Sequence, residues 1–160
     1  MNAHSDTMLV QIIDFEDQYA QDFARLNYKW LEEFFTVEPH DREMLDEPKS
    51  YIIDQGGHVF FAQLGDQIVG TVALIKEDHE TYEVAKMAVS PEYQGHKIGK
   101  QLLDYVIAFG RKSGTTRLVL ESNTKLPPAL NLYIKTGFKV IPLNEGSPYA
   151  RCNIRMELKL

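Results

Sequence analysis

Apolar residues change period along this chain, and the changes mark out its elements. Ile98, Leu102, Val106 and Phe109 recur at spacings of four, four and three, which places them on one face of a helix. Before that helix, Tyr82 to Val89 reads as a strand, although Val84, Met87 and Val89 only partly alternate. Ser90-Pro91 ends it, and a short turn carrying Gly95 and Gly99 leads into the helix. Upstream, Met8 to Phe15 suits a first strand. Asp14 is a candidate cap for a helix over Glu16 to Phe35, with a break near Asn27 left open. Its stripe of Tyr19, Phe23, Leu26, Trp30 and Phe34 reads as core, or, in a sharper reading, Tyr28, Trp30 and Glu33 border a substrate pocket.

Pro39 to Glu47 suits a short helix, and Pro48 opens a further turn through Tyr51, Ile52 and Ile53 that Gly56-Gly57 closes. His58 to Leu64 and Gln67 to Ile75 form a hairpin across Gly65-Asp66, and Thr81 to Val89 joins it after the polar break Lys76 to Glu80. After the turn-like Gly110 to Thr116, Arg117 to Glu121 is a short strand. Its helical connection implies that it pairs in parallel with the strand before the helix. Pro127-Pro128 starts another helix, with Leu130, Leu132, Tyr133 and Ile134 on an apolar side and Gly137 closing it. Phe138 to Pro142 is a strand and Leu143 to Pro148 a loop. In a final strand, Cys152 to Leu158, Ile154, Met156 and Leu158 share a face. The sum is one α+β domain over residues 1–160, built on a mixed, mostly antiparallel sheet with flanking helices.

The strand, glycine turn and helix at residues 82–112 carry the first chemical signal. Such a junction points unpaired backbone N–H groups at one spot, where the helix dipole favours negative charge. Each charge-assisted bond contributes about 1.5–3 kcal/mol, so three or four amides hold a diphosphate, with Lys97 and Lys100 adding charge. The competing reading is a plain strand-to-helix connection.

Composition narrows the field. A chain of 160 residues, 44% hydrophobic and 25% charged, fits a single soluble domain. A net charge of −6 argues against nucleic-acid binding, which calls for a basic face. Cys152 is the only cysteine, so no intrachain disulfide forms. No apolar run reaches a membrane span, and Met1 to Thr7 lacks a leader pattern. The expectation is a cytoplasmic protein with no membrane partner. His4, His40, His58, His79 and His96 lack metal-ligand spacing, so no metal is expected. Aromatic content and the last strand leave room for a homodimer.

Two motifs in order, Gln94-Gly95-His96-Lys97-Ile98-Gly99 and Ala129-Leu130-Asn131-Leu132-Tyr133-Ile134-Lys135-Thr136-Gly137-Phe138, resemble the Q-x-x-G-x-G turn and the A-x-x-L-Y-x-K-x-G-F helix of the GNAT superfamily of acetyl-CoA-dependent N-acetyltransferases. The resemblance covers Val59 to Leu158. It implies a GNAT-like fold with a splayed central strand pair. Met87, Ala88 and Val89 would offer backbone groups to the pantetheine arm, and Gln94, Gly95, His96, Lys97, Ile98, Gly99 and Lys100 would hold the diphosphate. Lys97 replaces a glycine of the motif, a change suited to backbone that is already helical there. Leu126 stands where the family often has asparagine, and Asn123 is the nearby substitute.

By the same resemblance, the acceptor is a small-molecule or peptide amine and the donor acetyl-CoA. A lysine-like ammonium with a pKa near 10.4 costs roughly 4.6 kcal/mol to neutralise at pH 7, an α-amino group only about 1–1.4, so a base matters. Glu83, four residues before Met87, is the base candidate, or else an exposed strand glutamate. Tyr133 holds the motif's tyrosine position beside the sulfur and is the candidate acid for the leaving thiolate, against a core tyrosine bonded to backbone. The N–H of Ala88 or Val89 is the candidate oxyanion donor. Tyr149 and Arg151 enter the last strand near the expected acceptor cleft. Arg151 either grips a substrate carboxylate or forms a surface ion pair with Glu145 or Glu157. The reading is an N-acetyltransferase acting by direct attack on the thioester; the alternative is a non-catalytic acyl-CoA-binding or sensing module.

Overall fold

A computed structural model describes residues 7–143 and 146–160. His4 and Glu145 lie outside the described residues. Seven strands form one sheet in the order β1-β2-β3-β4-β5-β7-β6. They are β1 (Gln11–Asp14), β2 (His58–Leu64), β3 (Gln67–Asp78), β4 (Thr81–Val89), β5 (Arg117–Ser122), β6 (Lys139–Ile141) and β7 (Ile154–Lys159). The β4–β5 pair is parallel and every other pair antiparallel. The helices are α1 (Ala20–Phe34), α2 (Pro39–Asp46), α3 (Ile98–Lys112) and α4 (Pro127–Thr136). None among the described residues is long and apolar enough to cross a membrane.

The sheet separates two apolar layers. Alternation along β3 sends Val72 and Leu74 to one side, with Leu102, Leu103 and Val106 of α3. Ala73 and Ile75 go to the other, with Phe23, Leu26 and Leu31 of α1 and Leu45 of α2. α3 buries Ile98, Leu102 and Val106 as its four-four-three spacing demands. α4 starts on Pro127 and ends at Gly137, whose φ of 112° lets the Phe138 N–H reach the Tyr133 carbonyl at 3.0 Å. Ile134, expected on the apolar side of α4, is exposed instead.

Several local expectations are corrected. β3 runs on to Asp78, through the supposed polar break, because Lys76 and Asp78 pair with Tyr82 and Thr81 while their side chains point to solvent. Asp14 stays in β1 opposite Phe60 and does not cap α1, which is entered through a 3-10 turn at Asp17–Tyr19. α1 passes unbroken through Asn27, whose buried side-chain amide donates to the Phe23 carbonyl at 3.1 Å. Gly110 belongs to α3, not to the turn after it. Leu31 takes the core position expected of Trp30, and Phe34 is exposed.

Candidate active site

Beyond Glu83 the sheet opens. β4 pairs with β5 only at Thr81, Tyr82 and Glu83, yet stays paired with β3 through Val89, so among the described residues one edge of β4 has no strand partner from Val84 onward, and the Val89 carbonyl accepts from the Gln94 side-chain amide at 3.2 Å. A bulge accompanies the opening. Thr71 faces Ala88 and Ala73 faces Ala85, leaving Lys86 and Met87 opposite Val72 alone. Lys86 takes a left-handed φ of 53° to make this possible. The bulge reverses the alternation: Val84 packs toward α3 before it, whereas Met87 and Val89 do so after it, and Ala88 joins the α1 layer. The spacing of three between Val84 and Met87 is the sequence trace of this reversal.

A cleft of about 910 Å³ fills the opening. Met87, Ala88, Val89, Gln94, Gly95, Lys97, Ile98, Gly99, Lys100, Asn123 and Tyr133 line it, with Glu83, Trp30, Tyr149 and Arg151. His96 and Glu33 are not on its wall. His96 turns its carbonyl to the Met8 N–H at 3.2 Å, and Glu33 is exposed. Tyr28 is also off the wall and donates its hydroxyl to Asp46 at 2.7 Å.

One half of the cleft is a donor cradle. Among the described residues no side chain caps α3, which leaves its first N–H groups to face the cleft. A methyl group built at Gly99 would come no closer than 3.7 Å to Leu132, so the helix start is not crowded. Lys97 is not helical as expected: its φ of 63° is left-handed, which explains why the motif prefers glycine there. Lys100 shares its charge with Asp104 at 2.7 Å. The Asn123 amide donates to the Arg151 carbonyl at 2.6 Å, and its oxygen accepts from the Lys125 N–H at 2.7 Å. The Tyr133 hydroxyl makes no hydrogen bond with a described residue, and burial pushes its phenol up to about 12. An open strand edge, an uncapped helix and a clear approach at Gly99 fit a phosphate-bearing ligand with an extended arm.

The other half is electrostatic. Burial, reinforced by the charges of Glu77 and Glu121, pushes the Glu83 carboxyl up to about 7. Beside it lies an ion cluster. The Lys86 ammonium donates to Asp41 at 2.6 Å and to the Tyr149 hydroxyl at 2.8 Å. Arg151 forms a fork on Asp41 at 2.7 and 2.8 Å and reaches Glu38 at 3.1 Å. Burial alone would raise the Asp41 carboxyl, but the hydrogen bonds from Arg151 and Lys86 outweigh it and hold the pKa at about 2. Burial also raises the Tyr149 phenol, and it raises the Cys152 thiol to about 11, so Cys152 stays protonated at neutral pH.

Arg151 is therefore neither a free carboxylate grip nor a partner of Glu157, which pairs with Arg117 at 2.9 Å. Its charge is met from α2. Lys86 on the cleft wall, and Glu38 and Asp41 behind it, were not visible as part of this cluster in the sequence. Asp41 lies 110 positions from Arg151 and 45 from Lys86, beyond the reach of any local pattern.

Comparison with known proteins fits this geometry. A profile of the Acetyltransferase (GNAT) family matches residues 24–138, well over half of the chain. N-acetyltransferase 8B of Rattus norvegicus is 36% identical over 102 residues, 61% of this chain and 46% of that protein. The probable N-acetyltransferase camello of Xenopus tropicalis is 31% identical over 100 residues, again 61% of this chain and 46% of the relative. The chain thus matches about half the length of these relatives. A GNAT-family acetyltransferase from Staphylococcus aureus superposes with a TM-score of 0.84 at 23% identity, over 94% of this chain and 99% of its own. The PaiA N-acetyltransferase of Thermoplasma acidophilum, solved with coenzyme A, gives 0.76 at 22% identity, over 96% and 100%. The profile match, joined to the same fold and an opened β4–β5 seam, places the chain in the GNAT acetyltransferase family.

Proposed function

We propose that this chain moves an acetyl group from acetyl-CoA to a primary amine. The observation that carries the reading is the conjunction, on one strand, of an unpaired edge from Val84 to Val89 and a carboxyl at Glu83 poised near neutrality. When bound, acetyl-CoA supplies an acetyl carbon activated as a thioester and a thiolate leaving group. Backbone groups of Met87, Ala88 and Val89 suit its extended arm, and the amides from Gln94 to Lys100, with Lys97, suit its diphosphate.

Glu83 accepts the proton of the incoming ammonium. With a pKa of about 7 it is about half ionised at neutral pH and still basic enough to take that proton. The N–H of Ala88 or Val89 donates to developing negative charge on oxygen. Tyr133 keeps its proton at neutral pH and offers it to the sulfur side. A phenol near 12 is a weak acid, but the apolar burial that raises it raises a thiol too, which narrows the gap between the two. A poised base at the mouth of the open edge favours an enzyme over a module that only binds an acyl-CoA.

Calorimetric titration with acetyl-CoA, compared with dephospho-CoA and NAD, tests the donor assignment. Binding selective for acetyl-CoA, followed by amine-dependent thiol release, is the expected result. Absence of binding would remove the donor cradle, and binding without thiol release for any amine would leave only the binding module.

A further inference from the structure

We propose that the acceptor half of the cleft takes a small primary amine that carries an aromatic or extended apolar group and no carboxylate; this specificity rests on the acetyl-transfer reading above. Charge supports it first. Lys86 and Arg151, the cations on this half, are committed to Asp41 and Glu38. The other lysines on the wall, Lys97, Lys100, Lys125 and Lys135, sit on or beside α3 and α4, in the donor half. What remains are two carboxylates. The Glu83 carboxyl makes no hydrogen bond with a described residue. Glu121 accepts from the Ser147 hydroxyl at 2.6 Å and stands 4.0 Å from Arg155. Such a surface attracts an ammonium and repels a carboxylate.

The apolar part comes from the end of α1. Trp30, Phe34 and Phe35 all line the cleft. Trp30 sets its edge against Phe35 at 6.0 Å and packs on the same apolar layer as Ala88 of β4. Glu83 lies on this side of the sheet too, because its neighbours Tyr82 and Val84 pack toward α3. Among the described residues Phe34 stacks on no other ring, and it is 57% exposed, although its place in the apolar stripe suits a core residue. Folding leaves that ring uncovered, and an apolar group on the acceptor would cover it.

Size follows from the rim. The Ala150 N–H donates to Glu38 at 3.0 Å, and Arg151 pairs with Glu38 and Asp41, which stitches the C-terminal loop to the start of α2. This closure beside Tyr149 favours a small acceptor over a protein segment.

The test pairs kinetics with binding. Thiol release with saturating acetyl-CoA is measured for 2-phenylethylamine, ethylamine, phenylalanine and a short peptide with an N-terminal phenylalanine. Calorimetry then measures the same ligands on CoA-loaded protein. The expected result is kcat/KM and affinity for 2-phenylethylamine at least about tenfold above the other three, the scale of burying a phenyl ring. Phe34→Ala should narrow the preference over ethylamine several-fold without shifting the melting temperature, since the ring is exposed. Equal binding of all four, or preference for phenylalanine or the peptide, overturns the inference while transfer itself stands. Selective binding of 2-phenylethylamine with no transfer to any amine sustains the acceptor site and overturns the acetyl-transfer reading.

Discussion

At Glu83, folding and chemistry pull in opposite directions. A carboxyl raised to about 7 by burial binds its proton more tightly in the folded chain than in the unfolded one, where about 4.3 is normal. The unfolded state sheds that proton first as pH climbs, so the stability cost of the residue grows from about pH 4.3 to about 7 and stays in full above that. Activity runs the other way, because a base works only when ionised. Glu83→Gln should therefore raise the melting temperature at pH 8 relative to pH 5 and remove the limb of the kcat/KM profile that rises through about pH 7. An unchanged profile would take the base role away from this residue. For Tyr133, whose hydroxyl has no described partner, removal leaves no buried group unsatisfied. Tyr133→Phe should fold normally yet lose about 10²-fold or more in kcat, and wild-type kcat would reject it as the acid. Both were legible as cleft residues, Tyr133 from its motif position and Glu83 from its place four residues before Met87 on the strand that lines the cleft. Arg151 was visible too, with an ion pair as one of its two readings, but its partners Glu38 and Asp41 were not.

Elements show the same division between local and distant information. The hairpin of β2 and β3, the parallel pairing of β5 and the helix start at Pro127 follow from periodicity and turn residues, which act within a few positions. The bulge in β4 left only a broken alternation as its trace, and its left-handed residue is a lysine, which no turn rule anticipates. Lys97 is the milder case. It holds a φ of 63° where the left-handed region costs an ordinary residue about 1–2 kcal/mol. Lys97→Gly should stabilise the fold to denaturant by up to about 1 kcal/mol, the gain being trimmed by the greater freedom of glycine when unfolded. If its charge assists the donor, acetyl-CoA affinity should fall at the same time. A loss of stability would mean that the lysine side chain packs where its exposure says it does not.

On the scale of the molecule, Asp41 joins parts far apart in sequence: α2, the β4 bulge and the loop entering β7. Its carboxylate is held at about 2, below the usual range near 3.9, so the stability it supplies is complete above about pH 4 and disappears as pH falls toward 2. Asp41→Asn should cost about 3–5 kcal/mol at pH 7, since it strands the buried Lys86 ammonium, and should flatten the acid limb of the stability curve. A loss below 1 kcal/mol would show that water reaches the cluster and screens it.

The seam between β4 and β5 has a consequence for how this protein responds to heat. With only Thr81, Tyr82 and Glu83 in register with β5, β4 is left with an open edge beyond them. An occupant lying along Val84 to Val89 acts as a splint across the two halves of the sheet, so binding and melting are thermodynamically linked. At a hundredfold excess over its dissociation constant, such a ligand adds about 2.7 kcal/mol to stability. Amide exchange should slow first along Val84 to Val89, and the melting point should climb with the logarithm of acetyl-CoA concentration.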